Sequence, residues 1–226
     1  MSTRFPYGTI LVFAKQPRPG HVKTRLAPRV SADAAAEFAL AGLHDTLRVA
    51  RGVAPVELAW DGDMDALPRL PSPVPVSQQA QGDLGSRMGA AFETHLAQGA
   101  SWVLALGTDS PGLPRTALEA ACRWLDHARA PRAVLGPSND GGYWLIGVSA
   151  WQPHLLTDLP WSVPTTLAAT RERLEARGYA YRELAEYFDV DEPQDLERLV
   201  ELWRSGDLDA PATQAWLERW FSGSNA

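Results

Sequence analysis

Short apolar runs alternate with longer amphipathic stretches along this chain, and the two textures predict different elements. The run Ile10-Leu11-Val12-Phe13 marks a first strand over 9–14. Phe38, Leu40, Leu43 and Leu47 recur at helical spacing and predict a helix over 32–50, with Ser31 as its N-cap. Residues 55–60 read as a second strand closed by Asp61-Gly62-Asp63, and 74–77 as a weaker third in a Pro-rich stretch. A helix over 84–96 precedes Trp102-Val103-Leu104-Ala105-Leu106, a continuous apolar run that suits a strand buried on both faces of a parallel sheet. The next helix, over 114–128, opens on a proline, as helix starts prefer. Strands over 133–135 and 143–148 flank a Gly-rich turn, and helices are expected over 164–177, 193–203 and 211–221. This alternation predicts an α/β fold with a mostly parallel central sheet flanked by helices. One domain over 1–226 is expected, with 222–226 as a flexible tail.

Composition narrows the function classes. A chain of 226 residues, 45% of them hydrophobic, can bury a substantial core. No apolar run reaches the length of a membrane span, and the first residues lack a signal-peptide pattern, so a cytoplasmic protein is expected. The single cysteine, Cys122, excludes an internal disulfide and reads as an inert thiol on a helix. A net charge of −6 argues against a nucleic-acid partner but leaves room for a small anionic ligand at a local cationic cluster. The five histidines lack zinc-ligand spacing, and no G-x-S-x-G nucleophile elbow occurs. Trp203, Trp216 and Trp220 are expected to pack the last helices together or to form the face of a homodimer.

The cations are unevenly typed. Of 21 Lys and Arg residues only Lys15 and Lys23 are lysines, and both flank one loop, Lys15-Gln16-Pro17-Arg18-Pro19-Gly20-His21-Val22-Lys23-Thr24-Arg25. A loop between a first strand and helix is where α/β sheets cradle phosphates. There Gly20 lets backbone N–H groups approach an anion, while Lys23 and Arg25 supply charge-assisted bonds. A solvated basic loop is the plainer alternative. Downstream, the buried strand over 102–106 runs straight into Gly107-Thr108-Asp109-Ser110-Pro111, which sets the Asp109 carboxylate at a strand's carboxyl end, where it can hold Mg²⁺ or cap a turn. In Gly136 to Gly142 the glycines fix a tight turn around Asp140, followed at once by Tyr143 and Trp144. The alternation in Asp189-Val190-Asp191 points both carboxylates to one side, as a second metal ligand or as helix-capping acids. Asp61-Gly62-Asp63 reads as an ordinary turn.

Taken in order, these motifs resemble the cofC-like, glycosyltransferase-like family long described only as a domain of unknown function, within the GT-A nucleotide-diphospho-sugar transferase superfamily. The resemblance is carried by residues 13–26, 79–88, 107–113, 136–147 and 189–196. It implies a Rossmann-like GT-A domain and a transferase. It also implies a nucleotide site made of Lys15, Gly20, Lys23, Thr24, Arg25, Gln79, Gly85, Ser86 and Arg87, with Gln79 or Gln81 touching the base. Asp109 and Asp191 correspond to the carboxylates that hold Mg²⁺ or Mn²⁺ in related enzymes, and Asp140, Gly141, Gly142 and Tyr143 to the acceptor pocket. Asn139 and Val163 depart from the pattern, both on the acceptor side.

The expected activity is nucleotidyl transfer. An acceptor oxygen attacks the α-phosphorus of a nucleoside triphosphate and expels pyrophosphate, with Lys23, Arg25 and Asp109 as the catalytic set. A glycosyltransferase using a nucleotide-sugar and a small acceptor is the second reading, and a nucleotide-binding module without turnover the third.

Overall fold

Among the described residues, seven strands and six α-helices follow one another in the order that the sequence pattern predicts, with one strand more. The structure, a computed structural model, describes residues 3–221, so the tail expected at 222–226 lies outside the described residues. The strands are β1 (Thr9–Lys15), β2 (Val56–Asp61), β3 (Val76–Gln78), β4 (Val103–Leu106), β5 (Arg132–Pro137), β6 (Tyr143–Val148) and β7 (Ala180–Glu183). The helices are α1 (Ala32–Arg51), α2 (Leu84–Ala97), α3 (Arg115–Leu125), α4 (Thr166–Ala176), α5 (Pro193–Ser205) and α6 (Pro211–Phe221).

The strands form one sheet in the order β3-β2-β1-β4-β6-β5-β7. β1 pairs in parallel with both β2 and β4, and β6 alone runs antiparallel to its neighbours β4 and β5. The pleat sorts β1 between two cores. Ile10, Val12 and Ala14 face a layer with Leu43, Leu47 and Leu118, whereas Leu11 faces the opposite layer with Met88, Phe92 and Leu156. Both faces are therefore covered by helices, which explains why β1 and β4 are continuous apolar runs. β7 escapes the sequence pattern because it is an edge strand with three of its four residues exposed.

Local chemistry fixes the helix ends. Ser31 caps α1 by accepting a hydrogen bond from the Ala34 N–H, and Asp83 caps α2 by accepting from the Ser86 N–H. Asp45, buried on α1, accepts from the N–H groups of Ala212 and Thr213 and so secures the start of α6. Trp216 on α6 lies against Phe38 with ring centroids 4.9 Å apart, while Trp220 is 39% exposed. Among the described residues no helix is long and apolar enough to cross a membrane.

Two positions yield tests. A Cβ added at Gly42, on α1, would stand 2.5 Å from the backbone carbonyl oxygen of Thr108. Gly42→Ala should therefore push α1 off the end of β4 and cost ~1–3 kcal/mol, the usual price of overpacking, readable as a lowered urea midpoint. An unchanged midpoint would mean that the contact is softer than the geometry indicates. Burial pushes the Cys122 thiol up to about 12. A disulfide reagent at pH 8 should label it only in denaturant, and rapid labelling of the native chain would contradict this.

Candidate functional site

Three segments distant in sequence converge at the carboxyl end of β1 and β4. The loop after β1 ends at Lys23, which adopts a left-handed backbone (φ 49°, ψ 36°) rarely taken by non-glycine residues. That kink leads into a single 3-10 turn, Thr24–Leu26, anchored by the fully buried Leu26. The Lys23 side chain is only 6% exposed, and its ammonium lies between two carboxylates. It donates to Asp191 Oδ1 at 2.8 Å and pairs with Asp109 Oδ1. Burial alone would push the Lys23 pKa down, but the two carboxylates reverse that and hold it above its ordinary value.

The carboxylates are tied to each other from behind. The Val190 N–H donates to the Asp109 carbonyl at 2.8 Å, and the Ser110 hydroxyl donates to Asp189. Asp189 lies beside this cluster, and burial pushes its carboxyl up to about 7, helped by the nearby charges of Asp109 and Asp191. Asp109 and Asp191 remain about half exposed, at 49% and 47%. Among the described residues no group of three or more His, Cys, Asp or Glu is placed to hold a metal ion. The donor set nevertheless fits Mg²⁺. That ion is commonly held by one or two carboxylates, with water and substrate phosphate completing its shell, and an ammonium already stands where a cation is wanted.

A cleft of about 380 Å³ opens in front of this pair, between Lys23, Asp109 and Asp191 at one end and Asp61, Gln79 and Arg87 at the other. Lys15 and His21 also line it. At its far end the Gln79 amide donates to the Ala59 carbonyl at 2.8 Å and accepts from Arg87 at 2.9 Å, so both ends of that amide are engaged by the protein. Arg87 also pairs with Asp61 at 3.0 Å. The turn reading of 61–63 holds for Asp63, which caps the 3-10 turn Met64–Ala66, but Asp61 faces the cleft. Its position at the carboxyl end of a parallel strand was the signal that would have found it.

On the other side of Lys23 and Asp191 lies a second hollow of about 460 Å³, bordered by Thr24, Arg25, Asp140 and Ser162. Arg25 is largely exposed there and lies 3.6 Å from Glu192. Asp140 Oδ1 accepts from the Ser138 hydroxyl at 2.6 Å and the Gly142 N–H at 2.9 Å, the bend that the glycines predict. Gly141, at φ 84°, leaves no room for a Cβ beside the Pro164 backbone, so it docks the turn instead of lining the hollow. The Tyr143 hydroxyl is buried, with its ring set edge-on to Trp161. Gly85 packs against the Leu156 carbonyl and Trp161, Ser86 serves the cap of α2, and Gln81 is exposed outside the cleft. Gly20, at φ 75°, sits in the exposed part of the loop with nothing within 4 Å of where a Cβ would stand. The structure thus brings together Lys15, Lys23, Gln79, Arg87, Asp109 and Asp191, and, across the ridge, Thr24, Arg25 and Asp140.

Residues 46–163, just over half of the chain, match the family model DUF2064, described as uncharacterized proteins conserved in bacteria. The chain belongs to that family. No curated protein matches this DUF2064 member. Among solved structures, one from Desulfovibrio desulfuricans G20 described as a candidate nucleotide-diphospho-sugar transferase shares 30% identity, covers 94% of each chain and gives a TM-score of 0.82. The 4-diphosphocytidyl-2C-methyl-D-erythritol synthase of Anaerococcus prevotii DSM 20548 covers 87% of this chain and 99% of its own, at 8% identity and a TM-score of 0.55. CMP:2-keto-3-deoxy-manno-octonic acid synthetase complexed with CTP covers 88% and 99%, at 15% identity and 0.51. The fold is that of the GT-A-like transferases.

Asp189 supplies a pH test. Its folded carboxyl keeps a proton up to about 7, while the free side chain loses it near 3.8. The folded state therefore binds more protons in that window, and stability falls as pH rises through it. Urea melts of the metal-free protein should show this fall between pH 4.5 and 7.5, and Asp189→Asn should remove most of it. Equal pH slopes in the two proteins would refute the assignment.

Proposed function

We propose that this chain is a divalent-metal-dependent nucleotidyltransferase working as one domain, and that its cleft takes the nucleoside triphosphate. The observation that carries this reading is the Lys23 ammonium between Asp109 and Asp191, at the carboxyl ends of adjacent parallel strands. Asp109 and Asp191 would hold Mg²⁺ or Mn²⁺, which when bound offsets the charge of the polyphosphate and of the departing pyrophosphate. Lys23 and Arg25 stabilise negative charge on the transferring group, and the cleft walls hold the nucleotide in line. Lys15 borders the same cleft and is assigned to the nucleotide. Asp61 and Arg87 form its far wall, where the base end of the nucleotide is assigned. The hollow bordered by Arg25 and Asp140 takes the acceptor, so that the acceptor and nucleotide meet across Lys23 and Asp191. An acceptor phosphate is already ionised near neutral pH, and the chemistry then asks for no protein base.

The candidate nucleotide-diphospho-sugar transferase at 30% identity favours a second reading, in which a nucleotide-sugar occupies the cleft and a nucleoside diphosphate leaves. Asp140 would then be the base, since it is the carboxylate bordering the acceptor hollow apart from Asp191.

Product analysis separates the two: pyrophosphate release supports nucleotidyl transfer, and nucleoside diphosphate release supports glycosyl transfer. Asp109→Ala should keep the fold, by circular dichroism, and lower metal-dependent turnover by at least ~100-fold, the scale of losing one electrostatic partner of the transition state. Full activity in that variant would remove the metal-pair assignment.

A further inference from the structure

The Lys23 ammonium takes up the carboxylates that a divalent cation would need. The ammonium already engages Oδ1 of both Asp109 and Asp191, and an ion bound directly to these carboxylates would stand beside it. Like charges at such separation, in a partly desolvated site, repel strongly. A bare divalent ion would therefore bind weakly or displace Lys23, and a lysine side chain only 6% exposed does not leave its partners without cost. A polyphosphate changes the balance, because its oxygens offer the ammonium a new anionic partner in the adjoining cleft.

The loop is built to allow the exchange. Between β1 and Lys23 its backbone hydrogen bonds include two short local turns, Arg18 N–H to the Gln16 carbonyl and His21 N–H to the Arg18 carbonyl. Residues 18–21 are exposed, and Gly20 has open space around it. Behind Lys23 the buried Leu26 holds the chain, so the side chain can swing from a fixed root.

We infer that Lys23 makes the carboxylate pair selective for a divalent cation that arrives together with a nucleoside polyphosphate, by occupying the cation position until the phosphates receive it. The inference rests on the nucleotide-site reading above. By linkage, the nucleotide then raises the affinity for metal and metal raises that for nucleotide by one and the same factor.

Because the chain contains only two lysines, labelling with [¹³Cε]lysine gives two side-chain resonances, one for Lys15 and one for Lys23. In the wild-type chain, millimolar Mg²⁺ alone should leave the Lys23 resonance in place. Mg²⁺ with an α,β-methylene triphosphate of A, C, G or U, tried one at a time, should move it. Free Mn²⁺ binding, followed by electron paramagnetic resonance, should tighten about tenfold in Lys23→Met and stay weak in Lys23→Arg, a coupling of the usual size. A Lys23 resonance that shifts with Mg²⁺ alone, or equal free Mn²⁺ affinity in wild type and Lys23→Met, overturns the inference. If wild type still binds the Mn²⁺–nucleotide complex in that case, the nucleotide site stands and only the role of Lys23 falls. If no analogue binds either protein with Mn²⁺ present, both fall together.

Discussion

A buried ammonium shared by two carboxylates organises this molecule's working end. Lys23, Asp109 and Asp191 come from three separate stretches of chain, and the one ammonium engages both carboxylates. The lysine accepts a left-handed backbone to reach inward, and the carboxylates accept each other's repulsion because a cation lies between them. Such a cluster adds little to net stability, since desolvation offsets most of the attraction. What it contributes is geometry: it ties the β1 loop, the end of β4 and the approach to α5 into one wall.

The sheet explains why the wall faces an open cleft. β1 lies between β2 and β4, so the chain leaves it in one direction first and returns on its other side later. Loops at that reversal diverge and leave a crevice at the strands' carboxyl ends. Parallel neighbours are ~4.8 Å apart, which sets Asp61, at the end of β2, about two strand widths from Asp109 beyond β4. Gly42 completes the arrangement by letting α1 close on the Thr108 carbonyl, one residue before Asp109.

Most of this architecture was readable from apolar periodicity, because β1 and β4 are covered on both faces and α1 on one. β7 was not, since an exposed edge strand has no apolar face to betray it. At the site, Lys15, Lys23, Asp109 and Asp191 stood out because strand ends and rare residue types are visible in a sequence. That Lys23 would lie on the carboxylates themselves was not visible, for it depends on a backbone kink and on Leu26 anchoring the next turn. Gly85 and Gly141 show the opposite limit. Residue type fitted a ligand contact at each, but both pack closely against the protein's own backbone. Asp61 is hidden in the sequence because Asp-Gly-Asp is ordinary turn chemistry, and only the sheet shows which of the two acids looks into the cleft.

The two hollows meet at Lys23 and Asp191, and this shared boundary bears on the proposed reaction. A group passing between substrates on either side must cross the boundary, where the change in charge is greatest. Side chains that can serve both hollows are therefore worth more to catalysis than those lining one, because they act on the transferring group and not on either ground state. Asp140 and Ser162 border the acceptor hollow alone, and Asp61 and Gln79 the cleft alone. On the proposed reading, then, variation among DUF2064 chains in substrate choice belongs at those outer residues. The reaction type belongs to the pair at the centre, whose lysine must be free to exchange one anion for another.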